Sequence, residues 1–293
     1  MDALDADQVA AACRGVEAVY YLIHGMGGDD FVRTDREAAS NVAAAVRDEG
    51  VGRIVYLSGI LPDVPDDELS EHLRSRREVE QTLAAVESAT VVVLRAAVLL
   101  GSGSTSFEII RQVSQRLPLH TIPTWMDSTV QPIAVVDVLE ALVGALHEDV
   151  TSGHFDVGGP DRLPYSELLD AFTTAAGLQR PQVEVPLLPT GLVGTLVASL
   201  TDVPRPTVEA LVESLRHDMV AADDRFRETL LPVGHQLVGL EDALRRSLAE
   251  PADRPEETDP MSRLPQDPTW DSGDPGALAK VIDTVTDILP GSS

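Results

Sequence analysis

The segment GVEAVYYLIHGMGG (15–28) decides the fold that the sequence predicts. Its apolar run VEAVYYLIH (16–24) has the composition of a buried strand, and a glycine-containing loop follows directly. A buried strand that ends in such a loop is typical of the middle of a nucleotide-binding parallel sheet. Only 14 residues precede the segment. The question is therefore where the first strand and its phosphate-binding loop would lie.

Apolar runs alternate with helical patterns after this segment, which predicts βαβ units and a mainly parallel sheet. The predicted strands after 16–24 are 53–60, 90–101 and 153–160, and the predicted helices are 35–50, 70–87 and 105–117. A short strand and a helix share 131–148. The pattern is mainly helical from 161 to about 250, with one strand-like run at 182–188. A proline-rich acidic stretch precedes a last predicted helix at 278–289.

The charge balance argues against nucleic-acid partners and is typical of a protein from a high-salt environment. The chain has 48 acidic and 22 basic residues, a net charge of −26, and a single lysine, Lys280. Surfaces that bind nucleic acid are basic, so we expect no nucleic-acid partner. Abundant Asp and Glu with almost no lysine is typical of a halophilic protein, because high salt screens the self-repulsion of the chain.

Four absences in the sequence bear on location and cofactors. A single cysteine, Cys13, excludes an internal disulfide, and no signal-peptide pattern is present, so we expect a cytoplasmic protein. The most apolar stretch, 187–200, is short and interrupted by Pro and Gly, so no membrane span is predicted. No cluster of Cys and His has metal-ligand spacing, so no metal site is predicted.

A series of motifs follows in order along the chain: GVEAVYYLIHGMG, RIVYLSG, HLRSRREVE, VVVLRAAVLLGSGS, QPIAVVDV and FDVGGPD. This series, over roughly residues 1–250, resembles the atypical short-chain dehydrogenase/reductases. These are NAD(P)H-binding proteins that include NmrA-like members and the 39-kDa-type subunit of respiratory complex I. The resemblance implies an α/β fold with a Rossmann-type doubly wound parallel sheet in 1–160. A smaller, mainly helical cap domain would occupy 161–250, and an acidic proline-rich tail with a short terminal helix 251–293.

Proteins of this family begin with a strand and a G-x-x-G-x-x-G loop, which holds the cofactor pyrophosphate at a helix N-terminus. No such loop occurs before residue 15, and residues 1–19 resemble the stretch that follows the family's third strand. We therefore expect an N-terminally truncated sheet, and impaired binding of NAD or NADP by the chain as given. The alternative is a genuine minimal variant.

The resemblance also implies which residues lie along the cofactor: Asp2 near the adenine, the strand end Leu22, Ile23 and His24, and Ala96, Ala97 and Val98 beside the nicotinamide ribose. Each has a structural alternative. Asp2 could be a helix cap, His24 a structural histidine, and the last three ordinary buried strand residues.

The candidate catalytic residues are Ser58, His72 and Arg76. Ser58 ends a strand where the family's catalytic serine or threonine lies. Classical members use Tyr-x-x-x-Lys, but HLRSR (72–76) has His72 in place of Tyr and Arg76 in place of Lys. A histidine of ordinary pKa could exchange a proton at neutral pH, whereas arginine can hold ribose or phosphate but stays protonated. The alternative for His72 and Arg76 is a solvated helix face.

Two functions remain open from the sequence. The first is an NAD(P)-dependent oxidoreductase that reduces a carbonyl or quinone-type substrate. Ser58 and a capped cleft favour this function. The second is a non-catalytic NAD(P)H-binding redox sensor or an accessory subunit associated with respiratory NADH dehydrogenase, which the lost Tyr/Lys pair favours. The expected partner is accordingly a small-molecule substrate or a respiratory-chain protein.

Overall fold

The computed structural model describes residues 1–25, 30–65, 67–186, 188–264 and 267. The helices are α1 (Ala6–Cys13), α2 (Phe31–Glu49), α3 (Glu71–Ala84), α4 (Thr105–Arg116), α5 (Val135–Gly144), α6 (Tyr165–Ala175), α7 (Thr190–Leu200), α8 (Arg205–Ser214), α9 (Arg225–Thr229) and α10 (Leu240–Ser247). The strands are β1 (Ala18–Tyr21), β2 (Arg53–Gly59), β3 (Thr90–Ala96), β4 (Leu99–Leu100), β5 (His120–Pro123), β6 (Thr129–Val130), β7 (Ile133–Ala134), β8 (Gly153–Val157), β9 (Leu163–Pro164) and β10 (Gln182–Val185). Short 3-10 helices lie at Thr124–Met126 and Pro255–Glu257. The predicted terminal helix at 278–289 lies outside the described residues.

The chain forms two compact units. Unit 1 consists of Met1–Ala97, Val136–Gly158 and Met219–Leu237, and unit 2 consists of the segments between and after them, Val98–Val135, Gly159–Asp218 and Val238–Ser293. Each unit is therefore built from three separate stretches of sequence. The domain boundaries that the sequence predicts, at 160 and 250, stay predictions.

Unit 1 contains a four-stranded parallel sheet with the order β1-β2-β3-β8. Tyr21 pairs with Tyr56, Gly59 with Ala96, and Ala96 with Val157. This register brings the carboxyl ends of the strands to one edge of the sheet, called the carboxyl edge below. The predicted α/β fold with a parallel sheet is confirmed.

Helices cover both faces of this sheet. Tyr21 and Tyr56, with ring centroids 5.4 Å apart, belong to a buried apolar cluster that includes residues of α2 and α3. On the opposite face, the Tyr20 hydroxyl donates to the Leu142 carbonyl of α5. Because successive strand residues point to opposite faces, this arrangement buries the sheet on both sides.

Sequence signals set the ends of the helices that flank the site. Ser70 caps α3, where its side chain accepts a hydrogen bond from the Leu73 N–H. Gly50 ends α2 in the left-handed conformation, with φ of 71°, which glycine adopts without strain. Both helix ends agree with the predicted ones to within a few residues.

Two predicted strands differ from the observed ones. The run 16–24 gives only β1, because pairing with β2 ends at Tyr21 and the chain then leaves the sheet. The run 90–101 gives β3 and β4 with a break between them, because β3 pairs with β2 and β8 whereas β4 pairs with β7. Apolar composition alone does not show where a strand changes its partner.

Unit 2 is mainly helical. Its helices α4, α6, α7 and α8 pack together, and Phe107 of α4 contacts Phe172 of α6 edge to face at 5.7 Å. The strand pairs are short: β5 runs parallel to β10, β4 runs parallel to β7, and β6 is antiparallel to β9.

Candidate active site

The buried face of α3 carries two polar residues followed by two apolar ones. His72 and Arg76 are each only 8% exposed, and Val79 and Leu83 are almost fully buried. The spacing of four, three and four residues places all four side chains on one side of the helix. Since α3 directly follows β2 and leads to the parallel neighbouring strand β3, its first turns lie near the carboxyl edge of the sheet. The alternative of a solvated helix face for His72 and Arg76 is therefore wrong.

Arg76 is a buried cation that forms no direct ion pair in the described part of the chain, although its charge acts on the pKa of the Asp35 carboxylate. Its Nε has no hydrogen-bond partner there, and no ion pair joins its guanidinium to a described carboxylate. A buried charge without a partner is costly, because the desolvation of the ion is not offset. An anionic or hydroxyl-rich ligand at this position would supply the missing partner.

Asp35 of α2 links the loop after β1 to α3. Its Oδ1 accepts a hydrogen bond from the Gly25 N–H at 2.5 Å, and its Oδ2 accepts one from the Ser75 hydroxyl at 2.8 Å. Burial raises the pKa of Asp35, while these two hydrogen bonds and the Arg76 charge act in the opposite direction. Asp35 therefore fixes the backbone at the end of β1 relative to the helix that carries His72 and Arg76.

Three buried hydroxyls on this side of the sheet also lack partners. The Ser58 Oγ and the hydroxyls of Tyr21 and Tyr56 have no hydrogen-bond partner among the residues described. Tyr56 and Ser58 alternate on β2, so their side chains leave the same face of the sheet. Buried polar groups in proteins are normally hydrogen-bonded. Their common lack of partners marks this end of the sheet as a place for a polar ligand or water.

The two histidines of the site are both held neutral. Burial, with the charge of Arg76 and the neighbouring His24, lowers the pKa of His72 to about 3. Loss of hydration and Arg76 lower the pKa of His24 to about 4, although this residue keeps more than a third of its surface exposed. The low pKa disfavours proton exchange by His72 at neutral pH, because a protonated imidazole would lie beside Arg76; the catalytic role of His72 stays a prediction.

The predicted cofactor residues of unit 1 lie in different environments. Leu22 and Ile23 follow β1 and are 52% and 36% exposed, an apolar surface at the carboxyl edge. Ala96 is buried at the end of β3, and Ala97 is half-buried beside it. Val98 is the first residue of unit 2. These strand ends, with Ser58, His72 and Arg76, remain the candidate site.

Asp2 is the remaining predicted cofactor residue, and it lies near the N-terminus before α1. It is exposed, and its carboxylate accepts a hydrogen bond from the Leu4 N–H before α1 begins. The N-cap of α1 is Asp5, which accepts from the Gln8 N–H. The helix-cap alternative for Asp2 is therefore wrong, and its contact with adenine stays a prediction.

The described residues contain neither a metal-binding group nor a membrane-spanning helix. No group of three or more His, Cys, Asp or Glu side chains within them is placed to hold a metal ion. No helix in the same part of the chain has the length and apolar character needed to cross a membrane.

Residues 1–123 match a family model described as NAD(P)H-binding. No match was found among curated protein sequences. A nucleoside-diphosphate-sugar epimerase from Staphylococcus aureus has a similar structure, with 15% identity, a TM-score of 0.64, and coverage of 84% of this chain and 82% of that one. The chain thus shares its fold with this epimerase despite the low sequence identity.

Two further solved structures hold a nicotinamide cofactor. The UDP-glucose 4-epimerase of Thermus thermophilus, complexed with NAD, is 20% identical with a TM-score of 0.59, over 84% of this chain and 81% of that one. RMD from Pseudomonas aeruginosa, complexed with NADPH, is 16% identical with a TM-score of 0.59, over 83% and 84%. Residues 1–123 thus match an NAD(P)H-binding family model, and the chain shares the Rossmann-type fold of these solved structures.

Proposed function

We propose that unit 1 binds NAD(P)H at the carboxyl edge of its sheet and reduces a carbonyl or quinone-type substrate there. The observation that carries the proposal is the Arg76 guanidinium, which is buried and has no ion pair within the described residues. A cofactor ribose or phosphate would provide the hydrogen-bond acceptors that this cation needs. Parallel α/β sheets generally bind ligands at this edge.

The residues at this edge fit the nicotinamide–ribose end of a dinucleotide better than its pyrophosphate. Arg76 would hold the ribose or a phosphate, and the exposed Leu22 and Ile23 would cover apolar parts of the ligand. The sequence contains no G-x-x-G-x-x-G, the motif whose backbone N–H groups hold a pyrophosphate. We therefore propose weak binding by the chain as given, with the contacts concentrated at the nicotinamide–ribose end.

When bound, NAD(P)H would supply a hydride. Reduction of a carbonyl also requires a proton at its oxygen. An arginine is a poor proton donor, and His72, with its pKa lowered to about 3, is neutral at pH 7. The hydroxyls of Tyr21, Tyr56 and Ser58 are all buried and without a partner in the described residues. We propose that Ser58, at the strand end, donates the hydrogen bond to the substrate oxygen, and that solvent supplies the proton.

The alternative function is non-catalytic binding of NAD(P)H, as in a redox sensor or an accessory subunit of respiratory NADH dehydrogenase. The low pKa of His72 favours this alternative, because the position that would carry a tyrosine in a classical member then holds a poor proton donor. An arginine in place of the lysine is also a poor proton relay. Binding and orientation by Arg76 would serve both functions equally well.

Hydride transfer separates the two functions. The full chain would be incubated with 4-deuterated NADH or NADPH and a panel of aldehydes, ketones and quinones, and deuterium in the product would be measured by mass spectrometry. An oxidoreductase transfers deuterium, and Ser58→Ala lowers the rate by about 100-fold or more if its hydroxyl assists the transfer. Ser199→Ala in α7 is the matched control and keeps the wild-type rate. Saturable cofactor binding without any transfer favours the binding protein.

A further inference from the structure

Unit 2 contains an apolar cavity of about 110 Å³, called the α7 cavity. It is partly open to solvent and is lined by residues of α4, α6, α7 and α8, among them Ile110, Val113, Leu169, Leu196 and Val212. Its volume is somewhat below the ~150 Å³ of an engineered apolar cavity that binds benzene. The α7 cavity therefore has room for about one six-membered ring.

Helix α7 is more apolar than its burial within unit 2 requires. The helix TGLVGTLVASL contains no charged residue, yet only Val193, Gly194 and Leu200 are buried. Leu192, Leu196 and Val197 are half-buried and line the cavity. Apolar side chains that face a cavity rather than neighbouring atoms lose dispersion contacts, which a bound apolar molecule would restore.

Three polar side chains line the cavity among these apolar ones: Thr121, which is exposed, and Tyr165 and His120, which are buried. Tyr165 is 8% exposed, and its hydroxyl has no hydrogen bond to a described residue; burial raises its pKa, so the hydroxyl stays protonated. His120 is 2% exposed, and neither ring nitrogen has a partner in the described part of the chain. Burial lowers the pKa of His120, with Arg180 acting in the same direction and Asp170 against it, so the ring is neutral. The cavity thus combines an apolar wall with one or two neutral hydrogen-bonding groups.

We propose that the α7 cavity binds a small apolar ring compound that carries a single hydroxyl group. The apolar wall selects the ring, and the Tyr165 hydroxyl hydrogen-bonds the ligand oxygen. A ligand with a charged group is disfavoured, because no described ion of opposite sign lines the cavity to offset its desolvation. The site lies within unit 2 and is independent of the cofactor proposal for unit 1.

Phenol and benzene are the probes, since they differ only in the hydroxyl. Binding to the full-length chain would be measured by ligand-observed NMR titration. Val113→Phe fills the cavity, and Val143→Phe, at an exposed position of α5 in unit 1, is its matched control. Tyr165→Phe removes the hydroxyl with little change of shape. Its control is Tyr20→Phe, because the Tyr20 hydroxyl bonds the Leu142 carbonyl in unit 1.

The wild-type chain should bind phenol saturably and more tightly than benzene. Val113→Phe should weaken both ligands at least tenfold, and Tyr165→Phe should weaken phenol alone by about threefold to tenfold, the loss of one neutral hydrogen bond. Neither control variant should change binding. If Val113→Phe does not fold, Tyr165→Phe decides. No saturable phenol binding, or equal binding of phenol by wild type and Tyr165→Phe, would overturn the proposal and leave the cavity as a packing void.

Discussion

At the scale of single residues, Arg76 helps to determine the protonation of His72. Both side chains are buried on one face of α3, and the fixed charge of Arg76 contributes to the low pKa of His72. A tyrosine and a lysine at this spacing could share a proton between them, whereas an arginine keeps its own. The face thus presents a buried cation beside an imidazole whose pKa lies well below neutral pH.

The low pKa of His72 predicts how stability depends on pH. The folded-state pKa, about 3, lies below the unfolded value of 6.5. Between these values the unfolded chain binds a proton that the folded chain does not, so stability falls as the pH decreases from 6.5. Replacing His72→Gln should reduce the stability lost between pH 7 and pH 5 by about 1–2 kcal/mol. Urea unfolding of both proteins at the two pH values measures this difference.

The control for this prediction is His147→Gln. His147 is exposed, so its replacement should leave the loss of stability between pH 7 and pH 5 as it is in the wild type. Equal losses for wild type and His72→Gln would mean that the imidazole is hydrated in the folded chain. His72 would then be available again as a proton donor at neutral pH.

The sequence predicted some of the site residues and missed another. Ser58, His72 and Arg76 could be found because a known motif places them relative to strands and helices. Asp35 was missed because its partners, Gly25 and Ser75, lie on other elements. One signal was present: Asp35 falls on the stripe of α2 that continues with Ala39, Val42 and Val46, where an apolar residue is expected.

A close approach of two elements of unit 1 depends on a glycine at the end of α5. A Cβ atom on Gly144 would lie 1.8 Å from the carbonyl oxygen of Leu230, the residue after α9. Because backbone would have to move, Gly144→Ala should destabilise the protein by at least about 2 kcal/mol. Chemical unfolding monitored by circular dichroism measures the change.

Gly191→Ala is the matched variant for this test. Gly191 lies in α7, and a Cβ atom there would have no neighbour within 4 Å. Alanine at this position should be neutral or stabilising by about 0.5–1 kcal/mol, because it favours the helix. Equal stability of the two alanine variants would contradict the close contact between the Leu230 carbonyl and Gly144 of α5.

Elements with a regular apolar period were predicted well, and elements defined by distant partners were not. Helices α2, α3 and α4 and strand β2 lie within a few residues of their predicted bounds, because caps and periodicity are local. The short strands β5, β6 and β9 have two to four residues and few apolar neighbours, so no periodic pattern marks them. Their pairing arises only when the chain has folded.

The charge of the whole molecule predicts a dependence of stability on salt. A net charge of −26 repels itself at low ionic strength, and counter-ions screen this repulsion at high salt. The melting temperature should therefore fall as salt is reduced from molar concentration to about 0.1 M. Thermal melts in sodium chloride measure the effect, and sucrose at equal osmolality separates screening from solute exclusion. A melting temperature independent of salt would contradict the halophilic interpretation.

The central claim for the whole molecule is that NAD(P)H provides the partner of Arg76. Calorimetric titration of NADH and NADPH into wild type, Arg76→Met and Arg74→Met tests it most directly. Arg74 lies on the exposed side of the same helix, so its replacement is a matched control. Wild type and Arg74→Met should bind one of the nucleotides, more weakly than in the micromolar range. Arg76→Met should bind at least tenfold more weakly.

The same variants predict an effect without cofactor. Replacement of an unpaired buried cation by an apolar side chain of similar length should leave the ligand-free protein as stable as the wild type or more so. Loss of nucleotide binding in Arg76→Met with stability retained is the result that the account predicts. Nucleotide binding by Arg76→Met that equals that of wild type and Arg74→Met would contradict it.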